Sequence, residues 1–290
     1  MSPSTVPARI LCVIGSGGMG LAVARRLGSG RTIFLADYSQ ANLDAATKAL
    51  QDEGHTVEPH FVDVADFDAV QTFARAAAAA GHNETVVHTA GLSPSMAPAK
   101  RVFEVDLLGT VHVIDAFTDL IPAGSSLTCI SSVSRFGLKP SPELIGHLAH
   151  APRDKLLTTP SLLALEEGQG PNVYTDSTVA YQLSKRANYL RVQASVRAWG
   201  ARGARINTVS PGVVLTALIR LEMAAFGDAV KNMIETQPVP RGGTSNDIAG
   251  VVAFLAGPDA SYITGSDIVV DGGFMAANQG AYTMPERNEA

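Results

Sequence analysis

Apolar and polar positions along this chain follow two rhythms in turn. Short apolar runs bounded by turn residues, at Arg9 to Ile14, Thr32 to Ala36, Val57 to Val62 and Thr85 to Thr89, read as strands. Between them Met19 to Leu27, Gln40 to Asp52 and Phe67 to Ala80 carry the longer helical spacing, the last through the helix-favouring run Ala76 to Ala80. A second set follows. It comprises a helix over Val102 to Phe117, a strand over Ser126 to Ser131, a helix around Tyr181 to Lys185, a strand over Ala204 to Ser210, a helix over Asn246 to Leu255 and a last strand over Asp267 to Val270. Alternation of this kind predicts βαβ units, hence an α/β fold on one parallel sheet with helices on both faces. No internal repeat interrupts it, and residues 1–290 read as a single domain.

Two segments leave the rhythm. Residues 137–176 hold Pro140, Pro142, Pro152, Pro160 and Pro171 and a leucine-rich piece, and read as an insertion with two short helices. The polar tail from Ala276 reads as a loose arm or a strap that grips a partner. Composition narrows the classes: 46% hydrophobic and 17% charged residues describe a globular protein, and a net charge of −5 provides no basic footprint for nucleic acid. No apolar run reaches membrane-spanning length, and the opening residues carry no charged leader with an apolar stretch behind it. Cys12 and Cys129 each lie in an apolar run and read as buried thiols, which suits the cytoplasm. His147 and His150 have an H-x-x-H spacing but lack a second Cys or His pair, so no metal is expected.

The chemistry-bearing motifs lie at the turns. Gly15-Ser16-Gly17-Gly18-Met19-Gly20 falls between the first strand and first helix, where glycines permit a tight turn and close approach of a pyrophosphate to backbone amides. The second strand closes on Asp37 and Tyr38, roughly 20 residues on, where a carboxylate can accept the ribose hydroxyls of an adenosine and repel a 2′-phosphate. No arginine adjoins Asp37 in sequence, so NAD is favoured over NADP. The competing reading makes Asp37 a turn residue, with Ser39 capping the next helix. Tyr181 and Lys185 stand four positions apart on one helical face. An ammonium there stabilises a phenolate whose ordinary pKa is about 10, which fits the phenol for general acid or base work.

In this order the glycine turn, Asp37, Tyr181 and Lys185 resemble a classical short-chain dehydrogenase/reductase over about residues 9 to 274. Phe61-Val62-Asp63-Val64, His88-Thr89-Ala90-Gly91, Ile130-Ser131-Ser132, Asn207 to Val214 and Val270-Asp271-Gly272-Gly273 are similar to further blocks of that superfamily. The resemblance implies a Rossmann-type, doubly wound sheet and an NAD-dependent interconversion of a secondary alcohol and a ketone. It further implies that Tyr181 is the acid/base and that Lys185 tunes it and holds the nicotinamide ribose. Ser132 would bind the substrate oxygen, with Ser131 or Ser134 as substitutes. Asp63 and Val64 would face adenine, and Ala90, Gly91, Pro211, Gly212 and Val214 would line the cofactor. Thr216 would either touch the cofactor or cap a helix.

Three departures from the family stand out. The glycine turn is one residue short. Asp106 occupies the place of a catalytic Asn that helps hold a water behind the lysine. The gap from Ser132 to Tyr181 is several times the usual one and contains the insertion. Its Leu156, Leu157, Leu162, Leu163 and Leu165 could line an apolar pocket or bury the insertion on itself. Fragments Ser161 to Gly168, Arg197 to Gly200 and Arg205 to Thr208 are similar to the 3α-hydroxysteroid dehydrogenase/carbonyl reductase branch, which implies an apolar, cyclic or steroid-like substrate. The family also implies a homo-oligomer, dimer or tetramer. Two other readings are an NAD-binding regulator without turnover, against which Tyr181 and Lys185 are both retained, and a nucleotide-sugar epimerase or dehydratase.

Overall fold

The computed structural model describes residues 7–158 and 176–278. Its strands are β1 (Arg9–Ile14), β2 (Thr32–Asp37), β3 (Thr56–Phe61), β4 (His82–His88), β5 (Ser126–Ile130), β6 (Arg205–Pro211) and β7 (Asp267–Val270). They form one seven-stranded sheet in the order β3-β2-β1-β4-β5-β6-β7. Every pairing is parallel. Such strands are buried on both faces, and successive side chains point to opposite sides. Cys12, Ile14 and Phe34 accordingly join Phe73, Phe117 and Trp199 on one face, while Leu11, Val13, Ile33 and Leu35 meet Val252 and Leu255 on the other. The winding reverses between β1 and β4, which opens a crevice at their carboxyl ends.

The connecting helices are α1 (Gly18–Leu27), α2 (Gln40–Asp52), α3 (Phe67–Ala80), α4 (Ala99–Val102), α5 (Gly109–Thr118), α6 (Pro142–His150), α7 (Ser177–Ala201), α8 (Ala217–Thr236), α9 (Ser245–Ala256) and α10 (Phe274–Asn278). Local chemistry starts most of them. Ser39, Asp66, Asp176 and Thr216 accept first-turn amides of α2, α3, α7 and α8, and Thr244 and Asp247 form a reciprocal capping box on α9.

Several expected boundaries move for physical reasons. The expected helix over Val102 to Phe117 is three pieces: α4, a π-helical turn over Phe103–Leu108, and α5. The wider turn directs Asp106 inward, and Gly109 beyond it lets Val64 pack so closely that a Cβ would come within 2.7 Å of Val64 Cγ2. Strand β4 begins at His82, ahead of its apolar run, because Arg9 pairs opposite His82 and the Glu84 carboxylate is matched by Arg9 and by Arg31 at 2.8 Å. Helix α8 has no counterpart in the pattern-based reading. Only its cap, Thr216, signalled it, and Gly227 interrupts its run.

The described part of the insertion, 137–158, packs on the body. Helix α6 opens on the Ser141 cap with Pro142 in its first turn, and buries Leu144 and Leu148, together with Leu156, against Val102, Phe103 and Leu183. Leu156 and Leu157 therefore belong to this cluster rather than to a pocket. Leu162, Leu163, Leu165, the Ser161 to Gly168 fragment and the tail from residue 279 lie outside the described residues. A second tie joins distant segments. Arg135, in the 3-10 turn Val133–Phe136, donates to Asp267 at 2.6 Å, and Thr208 and Ser210 donate to the other oxygen of that carboxylate at 2.7 and 2.8 Å. Among the described residues no helix is long and apolar enough to cross a membrane.

Leu148 is fully buried between α6 and α7. Leu148→Ala is expected to cost about 2–4 kcal/mol of stability, read as a lower urea midpoint at unchanged slope. A loss below about 0.5 kcal/mol would show that α6 is not part of the folding unit.

Candidate active site

The glycine turn is built by exclusion of side chains. Gly15 adopts φ +102°, in the left-handed region, and donates to Ala36 O at 2.7 Å. A Cβ on it would come within 2.6 Å of the Ala90 nitrogen, and one on Gly20 would overlap the Gly15 carbonyl oxygen. Gly17 has open space around its α-carbon and caps α1 with no side-chain hydrogen bond, unlike the capped helices above. The first-turn amides of α1, at Gly18, Met19 and Gly20, thus keep the orphan donors and positive dipole end that suit an anion.

At the end of β2 the Asp37 carboxylate accepts from Ser16 N and Ser16 Oγ, both at 2.7 Å, and from Ser39 N at 2.8 Å. It is therefore tied to the glycine turn, and Ser39 caps α2 as the competing reading of this turn expected. No arginine adjoins Asp37 in sequence, and the fold brings one to the neighbouring Tyr38. Arg101, from α4, lies over the exposed Tyr38 ring, 5.6 Å from its centroid, with Phe61 on the ring 5.9 Å away. Its guanidinium is engaged by Asp63 at 2.7 Å and Glu104 at 3.3 Å. Asp63 also accepts Ala65 N at 2.9 Å, and the Val64 side chain is buried in the core.

Tyr181 and Lys185 share one face of α7 as their spacing requires, with Nζ 5.4 Å from the Tyr181 ring centroid. Lys185 is buried, with Asp106 Oδ2 at 3.3 Å and Ile130 O at 3.5 Å. Asp106 is fully buried, and its other oxygen accepts Leu92 N at 2.7 Å. Where the resemblance implied a water behind the lysine, the Asp106 carboxylate faces the ammonium directly. Burial pushes the Lys185 ammonium down, but Asp106, followed by Tyr181, outweighs it and the net shift is upward. Burial likewise pushes the Asp106 carboxyl up, and Lys185 and the Leu92 amide offset this only in part. The pair is surrounded closely. A Cβ on Gly91 would come within 3.1 Å of Nζ and 3.3 Å of Asp106 Oδ1. Thr110 donates to Asp106 O at 2.9 Å, and Asn188, with its amide nitrogen turned toward the acceptors, does so at the same distance. His88, 3.1 Å from Thr110, is held neutral by burial and by Lys185, its pKa pushed down to about 3.

Ser132 stands at the end of β5, where its Oγ accepts Ser134 N at 3.1 Å and caps the 3-10 turn. Ser131 is committed elsewhere, donating to Lys185 O at 2.7 Å. Ser132 and Tyr181 face a cavity of about 320 Å³. Met19, Pro211, Gly212, Val214 and Thr216 contribute to its lining, so the fold brings the glycine-turn end and the β6 end of the expected site together. Thr216 caps α8 and lines the cavity, so its two readings coexist. The described part of the insertion, 137–158, contributes no lining residue. Lining residues that pattern reading does not single out include Ser93, Thr178, Gln182 and Met233, and only the neighbourhood of Tyr181 points to the middle two.

Residues 9–147 match the family model described as short chain dehydrogenase, and residues 147–275 the one described as Enoyl-(Acyl carrier protein) reductase. A short-chain dehydrogenase/reductase of Alternaria brassicicola is 37% identical over 95% of this chain and 97% of its own length. A 3-alpha-hydroxysteroid dehydrogenase/carbonyl reductase of Comamonas testosteroni is 31% identical over 66% of this chain and 72% of its own. Among solved structures, levodione reductase superposes with a TM-score of 0.74 at 22% identity, covering 93% of this chain and 98% of that one.

Removing one member of a buried ion pair strands the other. Lys185→Met is therefore expected to cost about 3 kcal/mol or more near neutral pH, and Lys185→Met with Asp106→Leu to regain most of it. The sign with pH is fixed. A stranded Asp106 titrates above its unfolded value, so the deficit is small below about pH 4 and widens as pH rises through the folded value. Denaturant titrations of wild type and variant across that range measure it, and a pH-independent gap would contradict the pairing.

Proposed function

The chain belongs to the short-chain dehydrogenase/reductase family, and on that premise we propose that it is an NAD(H)-dependent oxidoreductase interconverting a secondary alcohol and an apolar or cyclic ketone. The observation that carries this reading is the convergence of Tyr181, Ser132 and Met19 at the uncapped start of α1 on one cavity, with the buried Lys185 one turn along α7 from Tyr181. The first-turn amides of α1 would hold the pyrophosphate, Asp37 the adenosine ribose with Tyr38 at its side, and Lys185 the nicotinamide ribose. Bound NAD supplies the hydride acceptor, and NADH the donor.

The chain's own residues handle the proton. In the oxidative direction the Tyr181 oxygen accepts the alcohol proton as the carbonyl forms, and in reduction it returns that proton to the ketone oxygen. The Lys185 ammonium, held charged by Asp106 despite its burial, stabilises the phenolate form. Ser132, its backbone fixed by the 3-10 turn, donates its hydroxyl hydrogen to the substrate oxygen, and its bond from Ser134 N leaves that donor unused. The apolar walls around them exclude water from the reacting carbon. The Comamonas relative's name supports a cyclic ketone. The free, buried Cys12 and Cys129 suit a reducing compartment.

Tyr181→Phe is expected to lower kcat at least about a hundred-fold, with NADH affinity within a few-fold, in an absorbance assay over a panel of ketones and secondary alcohols. Near-normal turnover in that variant would end the reading.

Cofactor choice gives a second test. A 2′-phosphate would meet the Asp37 carboxylate, and Arg101 is occupied by Asp63 and Glu104. NADH should bind at least about ten-fold more tightly than NADPH, and Asp37→Ala with Tyr38→Arg should remove most of that difference. Tighter NADPH binding by the unaltered protein, seen by fluorescence titration, would show that Asp37 does not set the preference.

A further inference from the structure

The cavity beside Ser132 and Tyr181 has two chemically different walls. One is apolar, made by Val213, Val214 and, from α8, Ile219, Val230 and Met233. The other is polar and uncharged. Helix α7 presents Thr178 and Gln182, which share a face at a spacing of four, and the turn after Ser132 presents Ser134. The Thr178 and Ser134 hydroxyls and the Gln182 amide have no hydrogen-bond partner among the described residues. Gln182 is nevertheless held in place. It lies so close under Gly137 that a Cβ there would come within 2.6 Å of Nε2.

No Asp, Glu, Lys, Arg or His lies among the described lining residues, and the nearby Lys185 ammonium is already matched by Asp106. A carboxylate or phosphate in this cavity would lose its hydration with no cation to replace it. A purely hydrocarbon ketone would leave the Gln182 amide facing an apolar surface, which polar sites discriminate against strongly. The cavity of about 320 Å³, at the small end for ligand sites, is shared with the nicotinamide end of the cofactor on the side of Met19, Pro211, Gly212 and Thr216, and what is left accommodates a single ring.

Resting on the alcohol–ketone reading above, we propose that the substrate is an uncharged ring compound carrying a second oxygen, hydroxyl or carbonyl. That oxygen hydrogen-bonds Gln182, with Thr178 beside it, and the ring's hydrocarbon face lies on the α8 wall. The reacting carbonyl is thereby presented to Ser132 and Tyr181 in one orientation. Gln182 and Thr178 determine specificity and take no part in proton transfer.

The test uses the full-length protein with NADH and hydroxycyclohexanones bearing the hydroxyl at each ring position, each paired with its methylcyclohexanone isostere, plus an oxocyclohexanecarboxylate. At least one hydroxyketone is expected to exceed its methyl isostere roughly ten-fold in kcat/KM, mainly through KM, with the carboxylate poorest. Gln182→Leu should bring that ratio close to one, and Thr178→Val, at an exposed position, should lower it and serve if the first variant does not fold. Ratios near one in the wild type, an unchanged ratio in the variants, or a carboxylate turned over as well as the hydroxyketone would overturn the inference and leave the oxidoreductase reading standing. If no ketone is turned over with NADH or NADPH, the oxidoreductase reading falls and this inference with it.

Discussion

A charged lysine inside a protein is an expensive object, and much of the candidate site is arranged to keep one. Lys185 can influence a phenol only while it remains an ammonium, yet burial drives it toward the neutral amine. Asp106 provides the counter-charge, and Asp106 is itself so deeply buried that it depends on Lys185 and the Leu92 amide in return. Neither group would keep its charge without the other. The π-helical turn that points Asp106 inward, the missing side chain at Gly91 and the bonds from Thr110 and Asn188 to the Asp106 carbonyl all serve this one contact. Where the resemblance implied a neutral amide, a carboxylate thus places a negative charge behind the Tyr181 phenol and its lysine.

The sheet topology decides what this pair is near. Because the winding reverses between β1 and β4, the glycine turn and the Thr89 to Gly91 turn meet at one edge. β5 and β6 then bring Ser132 and the Pro211 turn to the same edge. Each strand end contributes little by itself, a serine or a few glycines. Their proximity comes from parallel pairing, which places every carboxyl end on one side of the sheet.

Much of this was legible in the chain, and the exceptions share a cause. Strand and helix cores, the glycine turn and the face shared by Tyr181 and Lys185 depend on local spacing, so they could be read directly. What could not be read depends on contacts between distant segments. Arg101 reaches the Tyr38 ring only because the fold brings α4 to the end of β2, so the sequence around Asp37 does not show it. The π turn within 102–117 looks like any helix until the Asp106 carboxylate has a cation to face. Leu156 is equally fit in sequence for a pocket or for self-burial, and it packs both with the insertion's own Leu144 and Leu148 and with Leu183 of α7. Helix α8 was overlooked because Gly227 obscures its periodicity.

The bridge from Arg135 to Asp267 bears on how the protein is made. Arg135 belongs to the turn that carries Ser132, while Asp267 opens β7, the strand added last and at the outer edge of the sheet. During synthesis the glycine turn, Asp37, Ser132, Tyr181 and Lys185 all leave the ribosome before that carboxylate exists. A nascent chain can therefore pair its first strands while the Arg135 guanidinium, beside Ser210 and Tyr189, still lacks its counter-charge. The turn that carries Ser132 thus gains its buried ion pair only once the outermost strand is in place, and this couples the geometry of that turn to completion of the sheet.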